Sequence, residues 1–147
     1  MVMKHRQRHL GRELALQWLF EIEVGHQPPD EVMTHVPQDV EELEAIKDEG
    51  VAFAQQLVRG VLANRTGIDE VIVKYAKGWP IDRMAAIERN VLRISLYEIM
   101  HTPDVPDSVS VDEAVEIAKH YASDESGKFV NGILGAYLRN EPGEEER

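Results

Sequence analysis

Residues 84–100 read MAAIERNVLRISLYEIM, and they decide the fold class of the chain. Apolar side chains recur there every three or four residues, and further apolar residues widen the stripe. The stripe is formed by Met84, Ile87, Val91 and Ile94, with Leu92, Leu96 and Ile99 beside it. So wide an apolar arc is typical of an amphipathic helix buried at the centre of a helical bundle. We predict a helix that begins after Asp82, as its N-cap, and continues through Met100.

Towards the C-terminus the pattern stays helical. A loop with two prolines follows, and Ser110 with Glu113 has the spacing of a capping box that opens a helix ending near Tyr121. We predict that Ser123 caps a last helix, which stops near Asn140. Gly132 interrupts that helix at a cost in helix propensity, which we interpret as close packing against a neighbouring helix. Residues 141–147 are predicted to form a disordered acidic tail.

Towards the N-terminus the same periodicity continues, with Leu10, Leu14, Trp18 and Ile22 on one face of a first helix that ends near Gly25. A proline-containing loop over 26–40, with a short helix around 30–35, precedes a long helix over 40–64 and another over 68–77. The fold class is therefore all-α: a compact bundle of about six to seven helices. We expect a single domain over 1–140, in two three-helix groups over about 4–77 and 82–140, divided near Gly78–Pro80.

The charge of the chain is unevenly distributed. The 147 residues carry a formal net charge of −11. Residues 1–12 contain Lys4, Arg6, Arg8 and Arg12 and no acid, so this segment is +4 and the remainder is −15. This asymmetry indicates a basic arm on an acidic body, or simply a solvated N-terminus. The chain has no cysteine, no apolar run long enough to span a membrane and no signal peptide, so we expect a cytoplasmic protein.

Residue patterns that support catalysis are absent from the sequence. It contains no Gly-rich phosphate loop, no nucleophile elbow and no H-E-x-x-H motif. His5 and His9 are four residues apart, but a metal site needs further ligands that the sequence does not indicate. We therefore predict neither an enzyme nor a metal site nor a cofactor.

Three stretches resemble the NusB family of transcription antitermination factors. They are Gly11 to Phe20 (GRELALQWLF), Ile87 to Lys119 with its VSVDEAVEIAK segment, and Ser126 to Leu134 (SGKFVNGIL). They occur in the family's order and span almost the whole chain. One departure is that His9 and Leu10 interrupt the arginine run that often precedes the first helix in the family.

The resemblance implies a non-catalytic RNA-binding adapter with an all-helical fold. Such proteins bind single-stranded boxA-type RNA together with a basic ribosomal small-subunit protein. The pair joins RNA polymerase elongation complexes with other Nus factors and suppresses premature termination, notably on ribosomal RNA operons. Some members form homodimers, so self-association is an open alternative. A second open alternative, supported by the acidic composition, is a protein–protein interaction module without direct RNA contact.

The resemblance also implies which residues make these contacts. Candidate RNA-binding residues lie near the first helix and at the start of the last helix: Arg6, Arg8, Arg12, Gln17, Glu125, Ser126, Lys128 and Phe129. Arginine and lysine contact phosphate, and aromatic rings stack on exposed bases. Phe20 and Glu88 match partner-binding positions. Gln17 and Glu88 also fit ordinary surface positions, and Phe20 and Phe129 also fit core positions.

Overall fold

The computed structural model describes residues 5–141, and within this range the chain forms seven α-helices and two short 3-10 segments without any strand. The all-α prediction and the predicted helix number are confirmed. Lys4 and residues 142–147 of the predicted acidic tail lie outside the described residues. The helices are α1 His5–Glu23, α2 Pro29–Val32, α3 Asp48–Ala63, α4 Arg65–Tyr75, α5 Ala86–His101, α6 Asp107–Tyr121 and α7 Asp124–Asn140, and the 3-10 segments are Glu41–Ala45 and Ile81–Arg83.

The chain divides into two compact units, of which the first ends at Ala63 and the second begins at Asn64. The predicted division near Gly78–Pro80 is wrong, because α4 packs against α5 and α7 of the second unit. A polar contact explains this. Arg93 of α5 is buried, and its Nε and Nη2 donate to the two carboxylate oxygens of Asp69 in α4, at 2.8 and 3.0 Å. A bidentate pair of this kind fixes both distance and orientation.

In the first unit, α1 lies along α3 at very close range. A Cβ atom added to Gly11 of α1 would lie 2.8 Å from the Gly50 carbonyl oxygen and 2.9 Å from the Phe53 ring. The backbones therefore approach each other where both helices carry glycine. Trp18, fully buried in α1, donates from Nε1 to the His35 carbonyl at 2.9 Å and so attaches the following loop.

Gln7 explains why the predicted long helix over 40–64 is in fact a 3-10 segment followed by α3. Its side chain is buried, donates from Nε2 to the Ala45 carbonyl at 3.1 Å, and accepts from the Lys47 amide at 2.8 Å. Ile46 between them is extended, with ψ of 140°. The Gln7 amide group thus takes the hydrogen bonds that a continuous helix would have made internally.

In the second unit, α5 is the central helix and packs against α4, α6 and α7. Every residue from Asn90 to Leu96 is buried. The prediction that residues 84–100 contain a buried helix at the centre of the bundle is therefore confirmed. Its predicted start is wrong, because Asp82 lies in the 3-10 segment and extended Met84 separates that segment from α5.

Of the other two predicted caps, only Ser123 is confirmed. Its Oγ accepts from the Ser126 amide at 3.1 Å at the start of α7. Ser110 does not open α6, because that helix begins at Asp107 and the Pro106 carbonyl already accepts from the Val109 and Ser110 amides. Proline before the first turn has the backbone angle that a helix start requires.

Gly132 does not mark a close helix contact as predicted, since a Cβ added there would meet no atom within 4 Å.

Candidate nucleic-acid and partner interface

The start of α1 presents cationic side chains without a neighbouring acid in its first turn. Arg6 is exposed. Arg8 is half-buried, and its guanidinium carbon lies 5.5 Å from the centroid of the Phe53 ring, which is a cation–π distance. The α1–α3 contact at Gly11 and Gly50 brings Phe53 of α3 into this position. The ring orients Arg8 and leaves part of its side chain at the surface.

Arg12 differs from the other two arginines, because only 2% of it is exposed. Its guanidinium carbon also lies 5.5 Å from the Phe53 ring centroid. Arg12 is therefore part of the core of the first unit, and the structure does not place it where RNA would reach it. The local sequence gives no signal for this burial, because the Phe53 ring beside Arg12 belongs to α3.

Gln17 and Phe20 lie further along α1. Gln17 is half-buried, whereas Phe20 is 39% exposed, so the alternative interpretation of Phe20 as a core residue is wrong. Val24, one turn later, is 44% exposed. Together Phe20 and Val24 form a small apolar patch at the C-terminal end of α1. Exposed apolar side chains in this arrangement suit protein contact better than contact with phosphate.

The start of α7 is held by a chain of hydrogen bonds. The Ser126 hydroxyl donates to Oε2 of Glu88, in α5, at 2.7 Å, and the Ser123 hydroxyl lies 3.2 Å from that of Ser126. Ser126 is buried, so its side chain supports the helix start through Glu88. Glu88 itself is half-buried, which leaves part of its carboxylate accessible to another group. Asp124 and Glu125 are exposed in the first turn, where acids favour the positive end of the helix dipole.

Lys128 is exposed and Phe129 is half-buried at the edge of the core, whose α7 face consists of Val130, Ile133, Leu134 and Tyr137. Sequence reasoning missed a second cation at this place. A Cβ added to Gly127 would lie 2.7 Å from Cγ of Lys119, so the Lys119 stem runs across α7 at Gly127. Lys119 is exposed. Its spacing within α6 gives no hint of this, because the contact depends on how α6 and α7 cross.

The candidate residues thus fall into two sets. Arg8 and Arg12 share the Phe53 ring in the first unit, and Glu88 and Ser126 are hydrogen-bonded in the second. No group of three or more His, Cys, Asp or Glu side chains within residues 5–141 is arranged to hold a metal ion. Over the same range, no helix is long and apolar enough to cross a membrane.

Glu141, the last described residue, makes a defined contact, while the rest of the predicted acidic tail lies outside the described residues. The Glu141 carboxylate accepts from Nζ of Lys74 at 3.2 Å and from the hydroxyl of Tyr75 at 2.5 Å. The hydrogen bond with Glu141 is the largest cause that raises the pKa of Lys74 and the pKa of Tyr75.

Comparison with known proteins places this helical architecture in one family. The sequence model described as "NusB family" matches residues 9–139. The transcription antitermination protein NusB of Symbiobacterium thermophilum is 43% identical over 92% of both chains, and that of Pelotomaculum thermopropionicum is 45% identical over 90% of both. The chain belongs to the NusB family. This membership makes it a non-catalytic factor, as predicted from the sequence.

Solved structures show the same fold. NusB of T. maritima superposes with a TM-score of 0.79 at 32% identity, covering 99% of this chain and 98% of that one. A crystal structure of antitermination factors NusB and NusE in complex with double-stranded RNA contains a chain with a TM-score of 0.80 at 28% identity, covering 94% of this chain and all of that one.

Proposed function

We propose that this chain is a cytoplasmic transcription antitermination factor that binds boxA-type single-stranded RNA together with a basic ribosomal small-subunit protein. The pair would join RNA polymerase elongation complexes with other Nus factors, notably on ribosomal RNA operons. The observation that carries the proposal is the likeness, over that chain's full length, to a protein solved with NusE and RNA.

The proposed RNA contacts lie at the starts of α1 and α7. Arg6 and Arg8 supply charge at α1, with Gln17 further along the helix, and Lys128 supplies charge at α7. Phe129, which is half-buried, offers an aromatic ring for stacking, and Glu125 a carboxylate that accepts hydrogen bonds from base edges. Ser126 supports this surface indirectly, because its hydrogen bond to Glu88 fixes the start of α7. Arg12 is left out of this set because it is buried.

The proposed partner contacts are the apolar patch of Phe20 and Val24 in the first unit and the carboxylate of Glu88 in the second. The net charge of −11 attracts a basic protein over a long range, and this attraction raises the rate of association. The buried contact itself would come from Phe20, because an aromatic anchor supplies most of the binding energy in small interfaces.

Fluorescence anisotropy with a labelled single-stranded boxA-type RNA tests the proposal. We expect weak binding by the chain alone and tighter binding when the ribosomal protein is added. Arg8→Ala and Lys128→Ala should each weaken binding and reduce the salt dependence by about one unit of slope, because each removes one phosphate contact. A duplex of the same sequence shows whether the chain distinguishes single from double strands.

Two substitutions are matched controls. Arg59→Ala removes an exposed arginine from α3, and Arg139→Ala removes one from the far end of α7, so both change the net charge equally without touching the proposed surface. Binding that responds to all four substitutions alike indicates a general charge effect and contradicts the assigned surface.

The alternative of an interaction module without RNA contact is favoured by the burial of Arg12 and the exposed carboxylates of Asp124 and Glu125. It predicts that the RNA affinity of the ribosomal protein is the same with and without this chain. Light scattering at several protein concentrations, with and without RNA, tests whether the chain forms a homodimer that RNA dissociates.

A further inference from the structure

The turn after α4 displays a tryptophan that neither set of candidate residues includes. Trp79 is 51% exposed, the largest value among the exposed large apolar side chains of the described residues. The other tryptophan of the chain, Trp18, is completely buried. Burial of a side chain as large as tryptophan supplies considerable hydrophobic stabilisation, and a half-exposed tryptophan lacks much of it. This position is therefore unusual for a tryptophan with a purely structural role.

The backbone holds this ring outward. Lys77 and Gly78 have φ of 54° and 85°, so two successive residues are in the left-handed region. For lysine this is a sparsely populated conformation. The Trp79 amide donates to the Ala76 carbonyl at 3.2 Å, and Pro80 then leads into the 3-10 segment Ile81–Arg83. A tight, defined turn therefore fixes the backbone from which the ring projects.

Exposed cations lie on either side of Trp79 in the sequence. Lys77 lies before it and Arg83 after it, and both are exposed. Asp82 is also exposed and offsets part of this charge, and Lys74, one turn earlier, is paired with Glu141. Residues 77–83 carry two cations and one acid, a formal charge of +1, so an anionic ligand held here would depend mainly on the ring.

We infer that Trp79 is a stacking platform for a base of single-stranded RNA, with Lys77 and Arg83 near the adjoining phosphates. A π-face with neighbouring cations is how proteins hold single-stranded nucleic acid without reading its sequence. Among the described residues of the second unit, Val73 is the one other exposed large apolar side chain, so the ring is not part of a broad apolar patch of the kind that marks a protein interface. The inference rests on the proposed RNA-binding function and extends it to a contact outside the starts of α1 and α7.

The test compares variants of the full chain in binding to single-stranded RNA of about 6, 12 and 24 nucleotides. We expect Trp79→Ala to weaken binding by about 5- to 100-fold at lengths that reach the ring, as loss of one base stack does. Trp79→Phe should retain most of the affinity because phenylalanine also stacks. Trp79→Leu should lose it, since leucine is apolar but has no π-face. Val73→Ala, at an exposed apolar residue of α4, is the matched control and should have no effect.

Intrinsic fluorescence provides a direct readout. Stacking of a base quenches an indole, so RNA should quench the wild-type emission while leaving that of Trp79→Phe unchanged, because the remaining emitter is buried Trp18. Circular dichroism melting should show that the variants at this exposed site stay folded.

The outcomes separate the two proposals. RNA binding by the wild type without quenching at any length, or with Trp79→Ala equal to wild type, overturns the inference and leaves the proposed function intact. Equal RNA binding by Trp79→Leu and Trp79→Phe also overturns stacking, because only phenylalanine has a π-face. Absence of all RNA binding by the wild type, with and without the ribosomal protein, refutes the proposed function itself.

Discussion

At the scale of single residues, the glycines show most clearly what a sequence can and cannot indicate. Gly11, Gly50 and Gly132 all lie within helices, where each costs stability relative to alanine. The structure gives a reason for two of them, since Gly11 and Gly50 allow α1 and α3 to touch, and it gives none for Gly132. The cost is visible in the sequence, but its reason depends on which backbone lies opposite.

We predict opposite effects of the same substitution at two of these positions. Gly11→Ala should lower the free energy of unfolding by about 1–3 kcal/mol, because the new methyl group meets a backbone carbonyl that cannot move by itself. Gly132→Ala should raise it by about 0.5–1 kcal/mol, because the methyl group enters open space and alanine favours the helix.

Urea denaturation of the two variants measures both effects. If Gly132→Ala is as destabilising as Gly11→Ala, then a neighbouring group lies against α7 at that point in solution, as the sequence predicts.

At the scale of elements, the sequence predicts which segments form helices but not the residues at which those helices begin. Wide apolar stripes predicted α1, α3, α5 and α7 because burial of one face is a local property of the sequence. The starts of α3, α5 and α6 depend on contacts or backbone breaks that no short motif encodes. Gln7, forty residues away from Lys47, ends the helical pattern before α3. Arg12 was misassigned for the same reason, since its ring partner Phe53 is distant in sequence.

The two serines predicted as caps give a sharp test at this scale. Ser123→Ala should cost about 1 kcal/mol, because the Ser126 amide loses its acceptor at the start of α7. Ser110→Ala should be neutral or stabilising by a few tenths of a kcal/mol. Within the described part of the chain, the buried Ser110 hydroxyl has no hydrogen-bond partner, and alanine is the better helix former.

Thermal denaturation of both variants at matched concentration decides between the two helix starts. A loss of about 1 kcal/mol for Ser110→Ala is what a capping box would give, and that result would mean that α6 begins after Ser110 in solution.

At the scale of the whole molecule, the sequence indicated the family and the number of helices but misplaced the division of the chain. Gly78-Trp79-Pro80 is a strong local break, and such a break predicts a boundary between groups. The boundary lies instead at Ala63 and Asn64, because the Arg93–Asp69 pair joins α4 to α5 across that break. Arg93 and Asp69 are 24 residues apart, and nothing in their local sequence pairs them.

Within the second unit, Glu141, the last described residue, contacts α4. We expect this contact to depend on pH. Glu141 raises the pKa of Lys74 and of Tyr75, chiefly by accepting their hydrogen bonds. A group whose pKa is raised by folding contributes stability below its ordinary value and loses that contribution as the pH rises through the folded value. The attachment is therefore complete at neutral pH and is lost only above the ordinary titration range of about pH 10, as the pH rises through the raised pKa values, where Lys74 loses its charge and ionised Tyr75 repels the carboxylate.

We predict that Glu141→Gln lowers the pKa of Tyr75, because a neutral amide accepts a weaker hydrogen bond and does not oppose ionisation of the phenol. The measurement is the ultraviolet absorbance of tyrosinate during alkaline titration, with the curve of Tyr75→Phe subtracted in each background to isolate Tyr75 from the other three tyrosines. Glu116→Gln removes an exposed carboxylate from α6 and serves as the control. An identical Tyr75 curve with and without the Glu141 carboxylate would show that Glu141 does not contact α4 in solution.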